Sequence, residues 1–155
     1  MKKETIKFIA TMGGIGYLPI FGGTAGSLAG MVYFMIVGKG IVLYASIMAG
    51  IILSLMVSGP AEKIFEEKDS RRIIIDDFTG MLAAYVFIPG TYHLGWVVAV
   101  FLLFRVFDSL KVYPINKIEE NAGSWGVLGD DIAAAVYAGI CTLLLQKILA
   151  FFHIS

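Results

Sequence analysis

Residues 41–59, IVLYASIMAGIILSLMVSG, carry no charged side chain. A helix needs roughly 20 mostly apolar residues to cross the hydrocarbon of a bilayer, so this run is predicted to be a membrane span. A second candidate occupies residues 128–152, with an apolar core from Ile132 to Leu145 and Lys147 placed to snorkel near its far end. Three shorter apolar segments, Thr24 to Val37, Asp76 to Pro89 and Leu94 to Phe107, are also read as spans.

The composition agrees with a chain solvated by something other than water. Hydrophobic residues make up 58% and charged residues 15%, against about 45–50% (with glycine counted) and about 25% in soluble domains. Acidic and basic residues cancel to a net charge of zero, so no overall field draws the chain to nucleic acid. The lone cysteine, Cys141, rules out a disulfide framework and a thiolate metal site. The basic N-terminal stretch runs into Gly13 and Gly14 without a small-residue cleavage pattern and is not read as a signal peptide. No repeat or low-complexity linker interrupts the sequence, so residues 1–155 are expected to form one domain.

Two charged stretches, Pro60 to Arg72 and Pro114 to Asn121, each open on a proline suited to a first helical turn and are predicted to be amphipathic surface segments. Lysines and arginines concentrate in the N-terminus, in these two segments and around Arg105 and Lys111, whereas the connections near residues 37–41 and 90–94 hold only Lys39. The positive-inside rule then places the basic segments in the cytoplasm. Small residues at four-residue spacing (Gly26 and Gly30, Gly80 and Ala84, Ala134 and Ala138, Ala135 and Gly139) mark close helix contacts. The expected architecture is all-α: a compact integral membrane bundle of about five main helices with amphipathic surface segments, multi-pass in the inner (cytoplasmic) membrane.

In that topology five aspartates reach one face. Asp76 and Asp77 open the third span, Asp108 ends the fourth, and Asp130 and Asp131 open the fifth. Carboxylates at a membrane edge are costly unless paired, hydrated or metal-bound, and an all-oxygen set suits magnesium, manganese or calcium. All five are candidate metal ligands. Neighbours on a helix diverge by about 100°, so one member of each pair is expected to ligate while the other positions it. Arg105 and Lys111 are candidates to neutralise phosphate charge. Gly23, Thr24, Gly26 and Ser27 belong to a glycine-rich stretch leading into a helix, with Thr24 and Ser27 expected as caps and the amides as an anion seat. The stretch lacks the Gly-Lys-Ser/Thr ending of an ATP-binding loop. His93 and His153 are read as interfacial residues.

Four blocks in order, GYLPIFGGTAGS (16–27), IIIDDFTGM (73–81), FRVFDSLKVYPI (104–115) and GSWGVLGDDIAAA (123–135), resemble the phosphatidylglycerophosphatase A family. The resemblance implies a membrane enzyme that uses Mg2+ to hydrolyse phosphatidylglycerophosphate to phosphatidylglycerol and inorganic phosphate. It implies Asp77, Asp131, Arg105 and Lys111 as catalytic residues, with attack on phosphorus by water or by an aspartate. Asp77 stands where the family usually has glutamate, but all five carboxylates keep their places. The partners expected are the phospholipid substrate and the surrounding membrane lipid. Competing readings are another phosphorylated lipid as substrate, a CDP-alcohol phosphotransferase, and a non-enzymatic metal or ion carrier. The Asp-x2-Asp-Gly-x2-Ala-Arg stretch of the transferases is absent, and a carrier calls for charges deep within the spans.

Overall fold

The computed structural model describes every residue except 19–21, 69, 91, 114, 120–122 and 153–155. Pro114, residues 120 and 121 of the second charged segment, and His153 thus lie outside the described residues. Those described contain seven α-helices and no strand: α1 (Lys3–Ala10), α2 (Gly22–Val37), α3 (Ile41–Phe65), α4 (Ile75–Ala84), α5 (Leu94–Leu110), α6 (Ile115–Glu119) and α7 (Ser124–Phe151), with 3-10 turns at Ile15–Tyr17 and Tyr85–Phe87. The all-α expectation holds, but the helix count exceeds five because the N-terminal segment and the second charged segment also coil.

Helix lengths divide the expected spans into two groups. Among the described residues, only α3 and α7 are long and apolar enough to cross a bilayer. Their outward faces are apolar, with Ile41, Met48, Ile52, Ile140, Leu144 and Ile148 all exposed. Helix α4 has 10 residues, a rise of about 15 Å and half the hydrocarbon thickness. The segment Asp76 to Pro89 is therefore not a span by its own length. It owes its apolar character to burial: α4 packs against α2, α3, α5 and α7 and is the hub of the bundle. Tyr85 extends that core, stacking on Phe34 at 4.2 Å and donating its hydroxyl to the Val97 carbonyl at 3.0 Å.

Pro60 does not open a separate surface helix. It sits inside α3, which continues to Phe65. A proline removes one backbone donor and strains the preceding turn; here Gly59 N–H donates to Ser124 Oγ at 2.8 Å, which ties that turn to the start of α7. The turns beyond Pro60 are held by burial, because Val57 and Ala61 share a core with Ile6 and Ala10 of α1 and with Ile73, Ile75 and Val127.

The small-residue pairs lie where helices approach closely. Gly30 faces Met81, and Gly139 sits beneath the ring of Phe87 with no room for a Cβ. At Gly80 an added Cβ would lie 2.8 Å from Asp131 Cβ, closer than carbon atoms pack. The absence of a side chain at Gly80 thus sets how near Asp131 comes to α4.

Candidate active site

The first turn of α4 carries Asp76 and Asp77, and both are buried. Asp131 of α7 reaches the same place, and one carboxylate oxygen from each of the three lies within 4.8 Å of the others. Both members of the first pair therefore join the cluster, contrary to the one-of-each-pair expectation. Their directions diverge at the backbone, yet each side chain leads to the seam between α4 and α7. The second pair does divide: Asp130 turns to Lys111 Nζ at 3.1 Å, and its other oxygen accepts from the Asp131 N–H at 3.0 Å. Asp130 and Asp131 also lie well inside α7, which starts earlier, at Ser124, where its link to Gly59 anchors it.

Arg105 joins three helices through one nitrogen. Its Nη1 donates to Asp77 Oδ1 at 2.9 Å and to Ser27 Oγ at 3.2 Å, and forms an ion pair with Asp108 Oδ2 at 2.6 Å. Asp108 thus faces a cation, outside the group of three. Helix α5 ends at Leu110, and Lys111 lies just beyond it. It adopts a left-handed backbone, φ 44°, a conformation uncommon outside glycine and asparagine. The chain reverses there and Lys111 pairs with Asp130 of α7.

Gly22, Gly23 and Thr24 line the same cleft of about 370 Å3 as the aspartates, Arg105 and Lys111. These three belong to the first turn of α2, whose leading N–H groups have no acceptor within the helix. Gly26 and Ser27 lie behind this rim. A Cβ on Gly26 would meet Asp77 Cβ at 2.9 Å, and Ser27 Oγ donates to the Gly23 carbonyl at 3.0 Å. Helix α2 starts at Gly22, so neither Thr24 nor Ser27 is its cap; Ser27 supports Arg105 instead. Ser70, Arg71 and Ser109 also border the cleft. Sequence reasoning passed over them because no local pattern marks a charged connection or a helix end as part of a site.

The electrostatics call for added positive charge. Burial, then the adjacent Asp108 carboxylate, pushes Asp77 up to about 8 despite the opposing effect of Arg105. Burial and Asp77 raise Asp76 well above the usual carboxylate range. Among the described residues, Asp76 Oδ1 and Asp131 Oδ1 are buried without a hydrogen-bond partner. Three converging carboxylates with two unsatisfied oxygens are a donor set for a hard divalent cation.

The chain matches the phosphatidylglycerophosphatase A family over residues 8–146. It belongs to that family. Among its relatives are the phosphatidylglycerophosphatase A proteins of Escherichia coli, 34% identical over 82% of this chain and 76% of the relative, and of Haemophilus influenzae, 29% identical over 81% and 77%. A Bacteroides thetaiotaomicron protein provisionally named a phosphatidylinositol-3-phosphatase is 29% identical over 85% of this chain and 87% of its own length. No solved structure matches. Membership of the phosphatidylglycerophosphatase A family makes the chain a phosphoric monoester hydrolase and gives the aspartate cleft a class of chemistry to perform.

Proposed function

We propose that the chain removes the terminal phosphate of phosphatidylglycerophosphate, releasing phosphatidylglycerol and inorganic phosphate, with Mg2+ held by Asp76, Asp77 and Asp131. The observation that carries this reading is the convergence of these three carboxylates, two with unsatisfied buried oxygens, in one cleft with Arg105 and Lys111. When bound, Mg2+ supplies Lewis-acid polarisation of a phosphoryl oxygen. The first-turn amides of α2 and the Arg105 guanidinium receive the charge of the equatorial oxygens. The aspartates orient water for attack on phosphorus, the bond from phosphorus to the glycerol oxygen breaks, and that oxygen takes a proton. Asp108 and Asp130 act by positioning, each holding a cation at the cleft.

The apolar outward faces of α3 and α7 support a membrane location. The basic connections bordering the cleft support its opening on the cytoplasmic side. In this arrangement α3 and α7 cross fully, α2 and α5 are shorter companions, and α4 is buried among them. Residues 1–155 act as one unit.

The test is phosphate release from phosphatidylglycerophosphate by the detergent-purified chain, with Mg2+, with excess chelator, and with Asp77→Asn. Both chelator and substitution are expected to lower the rate by about a hundredfold or more, since even loss of a residue that merely orients a metal ligand costs 10- to 100-fold. Folded wild-type protein releasing no phosphate with magnesium, manganese or calcium would refute the proposal. The Bacteroides relative favours a second reading, a phosphorylated inositol lipid as substrate. Parallel assays with phosphatidylinositol 3-phosphate decide between them: faster hydrolysis of that lipid establishes the second.

A further inference from the structure

A second cavity, of about 240 Å3, adjoins the aspartate cleft and shares Gly22 and Arg71 with it. One wall is formed by Gly16, Tyr17 and Leu18, the other by Glu67, Arg71 and Arg72 of the connection between α3 and α4. Both arginines are exposed, and among the described residues neither is paired with a carboxylate. Glu67 accepts a hydrogen bond from Ser70 Oγ at 2.8 Å, so among the described residues that line the cavity two guanidinium groups stand beside one carboxylate, hydrogen-bonded through one oxygen.

The walls are built with some rigidity. Arg72 lies over the Phe65 ring, 5.2 Å from its centre, and Tyr17 meets the same ring edge-on at 6.2 Å. One aromatic side chain therefore fixes the basic wall and the opposite lip. The backbone is pinned as well. Gly16 lies directly against the Arg72 carbonyl and Gly22 against the Arg71 carbonyl, and neither position has room for a Cβ. Ile74 N–H donates to the Ala10 carbonyl at 2.9 Å and anchors the end of the connection. Tyr17 and Leu18, 52% and 57% exposed, give the lip an apolar surface.

Resting on the reading that the substrate is phosphatidylglycerophosphate, we propose that this second cavity seats the phosphodiester of the lipid, with Arg71 and Arg72 as its ligands. The substrate carries two phosphates joined by a three-carbon glycerol. With the terminal monoester over the aspartates, the glycerol crosses the wall shared through Gly22 and Arg71. The diester then meets two guanidinium groups, whose planar forks suit phosphate oxygens. Tyr17 and Leu18 receive the apolar part of the lipid. Phosphatidic acid, a monoester without a diester, leaves this cavity unfilled, so the two arginines set the preference between the two lipids.

The experiment has a binding arm and a kinetic arm, both on the full chain in detergent. Calorimetry with short-chain phosphatidylglycerol, which keeps the diester and lacks the monoester, is run on wild type, Arg72→Gln and the Arg71→Gln/Arg72→Gln double variant, with inorganic phosphate as second probe. Arg72→Gln is expected to weaken phosphatidylglycerol about tenfold, as for loss of one charged hydrogen bond at an open site, and the double variant further. The ratio of kcat/KM for phosphatidylglycerophosphate to that for phosphatidic acid is expected to fall by a similar factor. Unchanged phosphatidylglycerol affinity and an unchanged ratio overturn the subsite while leaving the phosphatase reading intact. Arg72-dependent binding of inorganic phosphate that phosphatidylglycerol does not displace also overturns it, making the cavity a free-phosphate site. Arg72-dependent phosphatidylglycerol binding in a protein that hydrolyses neither lipid upholds a diester-binding cavity and defeats the reading of phosphatidylglycerophosphate as substrate.

Discussion

Asp131→Asn is expected to lower phosphate release by about a hundredfold or more while raising the unfolding temperature in excess chelator. The two effects have one origin. Asp131 is 4% exposed, and its Oδ1 has no partner among the described residues, beside two further buried carboxylates. Without a cation, a cluster of this kind carries the cost of desolvation and like-charge repulsion, and a neutral amide of the same shape relieves it. With Mg2+ the order reverses, because wild type gains binding energy and the variant loses a ligand. Melting curves in detergent with chelator and with Mg2+, paired with the lipid assay, measure both. A variant that melts like wild type in both conditions and keeps its activity would remove Asp131 from the proposed metal set.

Arg105→Lys is expected to lower kcat by about a hundredfold, although the charge is retained. Loss of one charge-assisted contact or one preorganised donor at a developing charge has effects of that order. Arg105 Nη1 bonds Ser27 of α2, Asp77 of α4 and Asp108 of α5. An ammonium on a shorter, more flexible stem cannot keep that geometry and also offer a planar donor fork to phosphate. Measuring kcat and KM for the lysine and alanine variants separates charge from shape. A lysine variant with wild-type kcat would reduce Arg105 to a bulk countercharge.

Several ingredients of the cleft were legible in the sequence because they lie near helix ends, which breaks in hydropathy mark. Asp76 and Asp77 do open a helix, Asp108 does lie near the end of one, and Gly23 with Thr24 does border the cleft. What local pattern misses is tertiary packing. Helix α4 resembles a span because a segment enclosed by four helices is as apolar as one enclosed by lipid. Pro60 looks like a boundary, yet the buried Val57 and Ala61 carry α3 past it. The division of five aspartates into a group of three and two partners of cations follows from the left-handed turn at Lys111 and the reach of Arg105 across helices. Neither is encoded in spacing along the chain. Arg71 and Arg72 read as ordinary surface charge until Gly16 and Gly22 are seen to press against their carbonyls.

The placement of α4 bears on how the protein opens as well as on what it binds. Its ten residues pack against α2, α3, α5 and α7 at once, so its amides reach solvent only when the surrounding helices part. They are expected to be among the slowest in the chain to exchange with deuterated solvent, slower than those of the longer, outward-facing α3 and α7. Asp76 and Asp77 ride on the first turn of that protected segment. In the proposed reaction the cleft would thus admit a flexible lipid while Asp76 and Asp77 stay fixed on the least yielding part of the fold.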